Sequence, residues 1–134
     1  MTSAKARAGA SCQLRASYYL AALSRTPEAV ARAKQCMADL AALGLTNSYD
    51  WTTNLLDPQE KWGDLAVIDL ARACSATVFV MLASPETPGG MCELGARLAL
   101  GGVADVVGGE HLFFHHPRVV RHATWSAFLE MLAT

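Results

Sequence analysis

The stretch Ala76-Thr-Val-Phe-Val-Met-Leu-Ala83, followed by the loop Ser84-Pro-Glu-Thr-Pro-Gly-Gly90, decides the fold of this chain. Its first part is a continuous apolar and β-branched run without polar alternation, which is typical of a strand covered on both faces in the middle of a parallel sheet. The glycine-rich loop leads into a short helix at Met91–Leu100, which Gly101 and Gly102 end. The sequence therefore predicts a strand, a glycine loop and a helix as its central unit.

Strand and helix patterns alternate on both sides of this unit. The predicted elements in chain order are a strand at Ala16–Leu23, a helix from Thr26 to Gly44, a strand at Leu45–Trp51, a helix at Gln59–Cys74, the central strand and helix, a strand at Val103–Val107, a short edge strand at His111–His115 and a helix at Thr124–Leu132. Such alternation produces an α/β fold. We predict a single-domain Rossmann-like or flavodoxin-like three-layer sandwich with a four- to five-stranded, mainly parallel sheet over residues 16–134, after a flexible leader at 1–15.

Two helices carry specific expectations. Thr26 is a suitable N-cap, Pro27 suits the first helical position, and Glu28 complements the helix dipole. In the helix at Gln59–Cys74 we expect one apolar side to face inward. That side consists of Trp62, Leu65, Ala66, Leu70 and Ala73.

Composition excludes several classes of partner. The chain has 134 residues, with 11 Lys and Arg against 12 Asp and Glu and a formal charge of −1, so it lacks the basic surface that nucleic acids or anionic membranes require. It contains no stretch of about 20 apolar residues and no apolar run of a signal peptide. Scattered cysteines (Cys12, Cys36, Cys74 and Cys92) favour free thiols in a reducing compartment. We expect a cytoplasmic protein that needs no cofactor and contacts neither nucleic acid nor membrane.

The loop after the central strand is the first candidate site, because parallel sheets bind ligands at the carboxyl ends of their strands. Gly89 and Gly90 let backbone N–H groups approach a phosphate, a carboxylate or a sugar hydroxyl. Glu93 falls in the predicted first helical turn, where the dipole favours the ionised carboxylate that a nucleophile requires. A purely structural interpretation is equally physical, since Glu stabilises helix starts and Pro-Gly-Gly is common in loops.

Other residues leave two interpretations open. Asp69 lies among apolar residues of the second helix and either faces solvent or binds or protonates a substrate base. Arg25 follows the first strand and either meets a phosphate or is solvated. Tyr18 and Tyr19 alternate, so one faces the core and the other a helix layer or the ligand edge.

Metal and thiol chemistry are disfavoured on spacing. His111, His115 and His116 have no acidic or Cys partners at ligand spacing, so we predict no metal site. Cys92 stands beside Glu93, but no neighbouring His is indicated as its base.

Several of these residues together resemble the nucleoside 2-deoxyribosyltransferase-like family, which includes 2′-deoxynucleoside 5′-phosphate N-hydrolases. The resemblance covers roughly residues 17–108. It is carried by Tyr19-Leu20-Ala21 on the first strand, Asn47-Ser48-Tyr49 near the second, Asp69 in a helix, and Gly90-Met91-Cys92-Glu93-Leu94-Gly95-Ala96 after the third. The Glu-Leu-Gly segment is the specific part, and the rest supports it by order and spacing.

The resemblance implies a mechanism and a substrate class. Glu93 would attack the anomeric carbon of a deoxyribose and form a covalent glycosyl-enzyme, Tyr19 would orient Glu93 or the sugar, and Asp69 would handle the base or its proton. Ser84, Thr87, Gly89, Gly90 and Met91 would surround the sugar, with Arg25 near a phosphate. The ligand would be a small-molecule nucleoside or nucleotide, and the family's shared active sites imply a homodimer or larger homo-oligomer.

Departures from the family pattern keep alternatives open. Ala22 replaces a Gly after Tyr-Leu-Ala, Thr77 stands where the family usually has Asp, and Thr87 lies where transferases carry an Asp that holds the nucleoside. The alternative is therefore a catalytically inactive nucleotide-binding module of the same fold. The loop Pro88-Gly89-Gly90 also resembles that of cytokinin-activating phosphoribohydrolases, but the position of Glu93 does not match their motif. An unrelated flavodoxin-like protein is the remaining alternative.

Overall fold

The computed structural model describes residues 16–85 and 87–134, so the predicted leader lies outside the described residues. Five strands form one entirely parallel sheet in the order β2-β1-β3-β4-β5. They are β1 (Ser17–Ala21), β2 (Thr46–Asn47), β3 (Val78–Leu82), β4 (Ala104–Val107) and β5 (Val119–His122). The predicted α/β fold with a parallel sheet is confirmed, and β3 is buried along its whole length as expected.

Four helices cover the sheet on both faces. They are α1 (Pro27–Ala42), α2 (Trp62–Ser75), α3 (Pro88–Ala99) and α4 (Trp125–Ala133). One apolar cluster joins α1 and α4 to the sheet face that carries Tyr18, and the other joins α2 and α3 to the face that carries Tyr19. Within the described residues, no helix combines the length and the hydropathy needed to cross a membrane.

The local helix signals at Thr26 are confirmed. The hydroxyl of Thr26 accepts a hydrogen bond from the Ala29 N–H at 3.1 Å, and Pro27 is the first helical residue. After α1 ends, Gly44 adopts a φ of +88°, a left-handed conformation that favours glycine. Short-range chemistry alone therefore specified this helix.

Two predicted strands are wrong in extent or position. Only Thr46–Asn47 of the second predicted strand pairs with β1, and Trp51–Asn54 forms a 3₁₀ turn. The predicted strand at His111–His115 is a 3₁₀ turn, in which the His111 Nδ1 accepts the Phe113 N–H at 3.1 Å. The fifth strand is instead Val119–His122, an edge strand whose half-exposed pattern gave no apolar run to detect.

The second predicted helix is also corrected. It begins at Trp62 after a separate 3₁₀ turn, and among its residues only Ala73 is buried. Trp62, Leu70 and Ala66, which we expected to face inward, are exposed. The periodicity correctly indicated an apolar stripe, but a stripe does not reveal whether this chain or another covers it.

Sheet topology indicates where a ligand site is expected. From β1 the chain crosses to β2 on one side, and from β3 it crosses to β4 on the other, so strand order reverses between β1 and β3. The connections that leave the carboxyl ends of these two strands run to helices on opposite faces of the sheet, which leaves a crevice between them. Both Tyr19 on β1 and the start of α3 after β3 border it.

Candidate active site

A cavity of about 310 Å³ opens at this crevice. It brings together residues from β1, the segment after β2, α2 and the start of α3. The lining residues are Tyr19, Ala22, Ser24, Tyr49, Trp51, Asn54, Leu55, Trp62, Leu65, Asp69, Gly89, Gly90 and Glu93. The three residues predicted as catalytic, Tyr19, Asp69 and Glu93, thus line one cavity, as do the two glycines.

A hydrogen bond joins Tyr19 to Glu93 across the cavity floor. The Tyr19 hydroxyl donates to the Glu93 Oε2 at 2.5 Å, and both side chains are buried. Burial and the neighbouring Glu93 carboxylate raise the pKa of Tyr19 far above its ordinary value. Tyr19 therefore keeps its proton and acts as a fixed donor to the carboxylate.

The environment of Glu93 differs from the predicted one. Helix α3 begins at Pro88, so Glu93 lies in the second turn and not in the first. In the second turn the effect of the helix dipole has faded. Burial raises the pKa of Glu93 to about 7, the hydrogen bond from Tyr19 lowers it, and Asp69 raises it. Near neutral pH both protonation states of this carboxyl are accessible, and the expectation of a dipole-stabilised carboxylate is wrong because burial dominates.

Asp69 is a second carboxyl at the same cavity, half-buried as a residue but with a buried Oδ1 atom. Its Oδ1 has no hydrogen-bond partner among the described residues, and burial raises the pKa of the group to about 6. An unpartnered buried polar atom costs roughly 1–3 kcal/mol of stability. Packing does not explain such a group, but a ligand that supplies a donor or takes a proton would satisfy it.

The side of the cavity opposite Glu93 is aromatic, which the sequence did not reveal. Tyr49, Trp51 and Trp62 line it. The Trp51 Nε1 donates to the Leu20 carbonyl at 2.6 Å, and the Tyr49 hydroxyl donates to Asn54, so the segment after β2 is held over the end of β1. The available signal was the pair of aromatic residues at the end of the second predicted strand, Tyr49 and Trp51, followed by Trp62 in the next predicted helix. Aromatic faces of this kind stack on planar heterocycles.

The two glycines of the loop have different surroundings. A Cβ at Gly90 would lie 2.8 Å from the Thr87 Cγ2 and 2.9 Å from the Met81 Sδ, whereas a Cβ at Gly89 would meet nothing within 4 Å. Gly90 therefore lets α3 start against the end of β3, and Gly89 keeps backbone open toward the cavity. Both residues stand in the first turn of α3, where N–H groups lack helical acceptors.

The other predicted binding residues do not meet Glu93. Arg25, Ser84, Thr87 and Met91 line a neighbouring cavity on the far side of the loop. We predicted that Ser84, Thr87 and Met91 surround the sugar together with the glycines and that Arg25 meets a phosphate. These four residues instead line the neighbouring cavity, because the start of α3 lies between the two cavities. Cys92 is exposed and does not line the cavity of Glu93.

Arg97 is a buried residue that the sequence analysis missed. Its guanidinium donates to the carbonyl oxygens of Ala73, Cys74, Ala76, Thr77 and Val103 at 2.6 to 3.4 Å. Arg97 thereby joins the end of α2 to α3. Its acceptor Ala73 lies one helical turn after Asp69 in α2, and Arg97 itself lies one turn after Glu93 in α3. Arg97 therefore fixes the spacing of the two helices that carry the carboxyls. Among the described residues, no group of three or more His, Cys, Asp and Glu side chains is arranged to hold a metal ion.

Comparison with known proteins places this geometry on a known fold. No protein-family model and no curated protein sequence matches the chain. The structure is similar to a 2-deoxyribosyltransferase from the psychrotolerant bacterium Bacillus psychrosaccharolyticus, with a TM-score of 0.71, 18% identity, and coverage of 85% of this chain and 90% of that one. It is also similar to the CMP N-glycosidase BcmB of Clostridium botulinum, with a TM-score of 0.57, 15% identity, and coverage of 86% and 96%.

The chain has the fold of these two enzymes. The match extends over most of both relatives, so it concerns the whole domain and not a shared fragment. The fold expected from the resemblance to nucleoside 2-deoxyribosyltransferase-like proteins is confirmed. At these identities the comparison shows the fold, and the chemistry rests on the residues of the cavity.

Proposed function

We propose that this protein cleaves or exchanges the N-glycosidic bond of a nucleoside or its 5′-monophosphate. The observation that carries the proposal is the buried Glu93 carboxyl, held by Tyr19 in a cavity that it shares with Asp69 and an aromatic wall. The names of both structural relatives describe enzymes that act on bonds between sugar and base, which supports this choice among the chemistries a buried carboxyl can perform.

Glu93 acts as the nucleophile in this proposal. One carboxylate oxygen of Glu93 forms a bond to C1′ while the bond from C1′ to the base nitrogen breaks, and the electron pair leaves with the base. The transition state resembles an oxocarbenium ion, so the nearby negative charge stabilises it. Water or a second base then attacks C1′, gives a proton to the Asp69 carboxylate that the first step left ionised, and releases the Glu93 carboxylate. Water gives hydrolysis and a base gives transfer.

Asp69 supplies the proton that the leaving base needs. The pKa of Asp69 is raised to about 6 and that of Glu93 to about 7, so between these values the pair of carboxyls holds a single proton, which resides mostly on Glu93. The productive state is the minor form, in which Glu93 is ionised and the proton is on Asp69, and the Asp69 carboxyl passes this proton to the leaving base at the cavity that both residues line. Tyr49, Trp51 and Trp62 provide the stacking surface for that base.

Base release tests the proposal directly. The protein is incubated with ribo- and deoxynucleosides and their 5′-monophosphates, with and without a free acceptor base, and the products are separated by chromatography. Release that requires no acceptor indicates hydrolysis, and exchange that requires one indicates transfer. Saturable nucleotide binding without release would instead favour the inactive binding module, for which Ala22 at the cavity wall and Thr87 beside it are the motivating departures.

Replacing Tyr19 with Phe is expected to shift the pH dependence of base release. The hydrogen bond from Tyr19 lowers the pKa of Glu93, so its loss raises that pKa above about 7. Because the nucleophile must be ionised, the rising limb of the pH–rate profile moves to higher pH, and kcat at pH 7 falls by about tenfold. Rates measured from about pH 5 to pH 9 for both proteins check this. An unshifted limb would show that Tyr19 does not act through Glu93.

We further propose that two copies of the chain pair through α2. Its outer face carries exposed apolar side chains, with Val67 at 68% exposure and Leu56 just before the helix at 98%. This apolar face continues through Leu55 and Trp62 into the rim of the cavity, so a second copy would cover the face and border the site.

Light scattering coupled to size exclusion tests the pairing. The unaltered protein is expected to elute as a dimer or larger, and Val67→Glu is expected to give a folded monomer because it buries a charge at the contact. Val120→Glu on the edge strand is the control, since Val120 is also exposed but lies away from α2. A monomer for the unaltered protein would refute the pairing.

A further inference from the structure

A second and larger cavity, of about 670 Å³, lies beside the candidate active site at the ends of β3 and β4. The mechanism proposed above does not use it. Its lining residues are Arg25, Ala83, Ser84, Pro85, Thr87, Pro88, Met91, Gly109, Glu110, His111 and Phe114. This second cavity has about twice the volume of the cavity at Glu93, and a mononucleotide bound at Glu93 would not fill it.

A third, smaller cavity of about 240 Å³ connects the two. It shares Ala22, Ser24, Gly89 and Gly90 with the cavity of Glu93, and it shares Arg25, Thr87 and Pro88 with the far cavity. The three cavities therefore form one continuous trough that passes over the N-terminus of α3. We call its parts the glycosidic end, the middle and the far end.

The middle of the trough is built to hold an anion. The first-turn N–H groups at Gly89 and Gly90 lack helical acceptors, and Thr87 makes no capping hydrogen bond to them. The Thr87 hydroxyl is buried, at 5% exposure for the residue, and has no hydrogen-bond partner among residues 16–85 and 87–134. Arg25 borders the same space and forms no ion pair within those ranges. Arg25, Thr87 and the two glycines thus border one space, and Arg25 and the Thr87 hydroxyl have no protein acceptor among the described residues.

The far end offers a ring-binding surface. Phe114 and Met91 form apolar wall, and the His111 ring lies against Phe114 with centroids 5.6 Å apart. Among residues 16–85 and 87–134, Glu110 is the one acidic residue that lines this cavity. Its carboxylate is paired with Arg121 at 3.3 Å and lies 2.7 Å from the His115 Nε2. An uncharged planar group fits these surroundings, and a second phosphate fits nearer Arg25.

We infer that the substrate is a pyrophosphate-linked dinucleotide, bound with its scissile nucleoside at Glu93, its two phosphates over the N-terminus of α3 and its second base near His111. This inference rests on the proposed function and specifies its substrate class. The order of the three cavities matches the order of the three groups in such a molecule. The reaction at C1′ is unchanged, and the leaving group is still a single base.

Calorimetric titration of Glu93→Gln separates binding from turnover. The probes are AMP, ADP and diadenosine pyrophosphate, together with the cytidine series. The dinucleotide of one series is expected to bind about tenfold or more tightly than its mononucleotide, because it adds a stacked base and a second phosphate contact. Equal affinity for mononucleotide and dinucleotide in both series would overturn the inference.

Two variants in the Glu93→Gln background localise the effect. His111→Asn keeps a side-chain acceptor for the Phe113 N–H but removes the ring, so it should lower dinucleotide affinity to the mononucleotide level and leave mononucleotide affinity unchanged. Arg25→Ala should weaken both ligands, whereas Arg32→Ala, on exposed α1 surface, should weaken neither. A dinucleotide advantage that survives His111→Asn would contradict the assigned orientation.

Base release by the unaltered protein is scored separately on the same compounds. Release from mononucleotides with equal binding of both ligand sizes would sustain the proposed function and refute the inference. Tighter dinucleotide binding without any release would sustain the trough as a binding site and refute the chemistry.

Discussion

Glu93→Gln is expected to reduce base release by about a thousandfold or more, because the variant removes the nucleophile and keeps the shape of the side chain. The Tyr19 hydroxyl can still donate to the amide oxygen, so the hydrogen bond that positions this side chain is retained. Loss of activity would then report lost chemistry and not a displaced helix. Initial rates with the best substrate of the panel, at saturating concentration, provide the measurement.

The matched control is Glu130→Gln, which makes the same change on the exposed face of α4. It is expected to leave the rate unchanged. A Glu93→Gln protein that keeps more than about a tenth of the activity would contradict the assignment, because loss of a nucleophile removes the covalent route altogether.

The same variant should change how stability depends on pH. Burial raises the pKa of Glu93 to about 7 in the folded state, above its unfolded value, so the folded state binds the proton more tightly. Stability therefore falls as pH rises from about 4.5 to about 7, by roughly 3 kcal/mol for this group. Glu93→Gln should unfold at a higher temperature than the unaltered protein at pH 8 and at a similar temperature at pH 4. Equal melting temperatures of the two proteins at pH 8 would show that burial does not destabilise the ionised form of Glu93.

Arg97→Met is expected to destabilise the fold by about 3–5 kcal/mol, because several buried carbonyl acceptors lose their donor at about 1–3 kcal/mol each and part of that cost is relieved by relaxation. The guanidinium serves carbonyl oxygens from the end of α2, from the following connection and from the segment before β4. Methionine fills a similar volume but leaves those acceptors buried and unpaired, which costs the full desolvation of each. A melting temperature about 10 °C lower or more is the expected result.

Arg72→Met is the control for this change, because Arg72 is an exposed residue near the end of α2. It should alter the melting temperature little. Arg97→Lys should recover part of the loss, since an ammonium group reaches fewer of the acceptors than the forked guanidinium does. If Arg97→Met melted within a few degrees of Arg72→Met, the hydrogen bonds from Arg97 to the end of α2 would not contribute to stability.

How far the sequence predicted the fold depended on the range of the interactions involved. The start of α1 was predictable because Thr26 and Pro27 act on the next few residues. The buried β3 was predictable because both of its faces are covered, which leaves an unmistakable apolar run. The edge strands were not predictable, because β2 has only two register pairs with β1 and two of the four residues of β5 are exposed. Their pairing depends on partners distant in the chain.

How much of the candidate site could be predicted also depended on the range of the interactions. Tyr19, Asp69 and Glu93 were predicted from the resemblance, and the structure brings them to one cavity. The protonation of Glu93 was not predictable, because burial against β1 outweighs its position in the helix. Arg97 gave no sequence signal at all. An arginine in an apolar helix shows its role only when the carbonyls of the segments 73–77 and Val103 are seen around it.

The central claim is that Glu93 forms a covalent bond to the sugar. Intact-protein and peptide mass spectrometry after incubation with 2′-deoxy-2′-fluoroarabinosyl nucleosides tests it, because the fluorine destabilises the second, oxocarbenium-like step and lets the intermediate accumulate. The account predicts a mass increase equal to one fluorinated sugar on the peptide that contains Glu93, with release of the base. Base release without any adduct, or an adduct on a different residue, would contradict it.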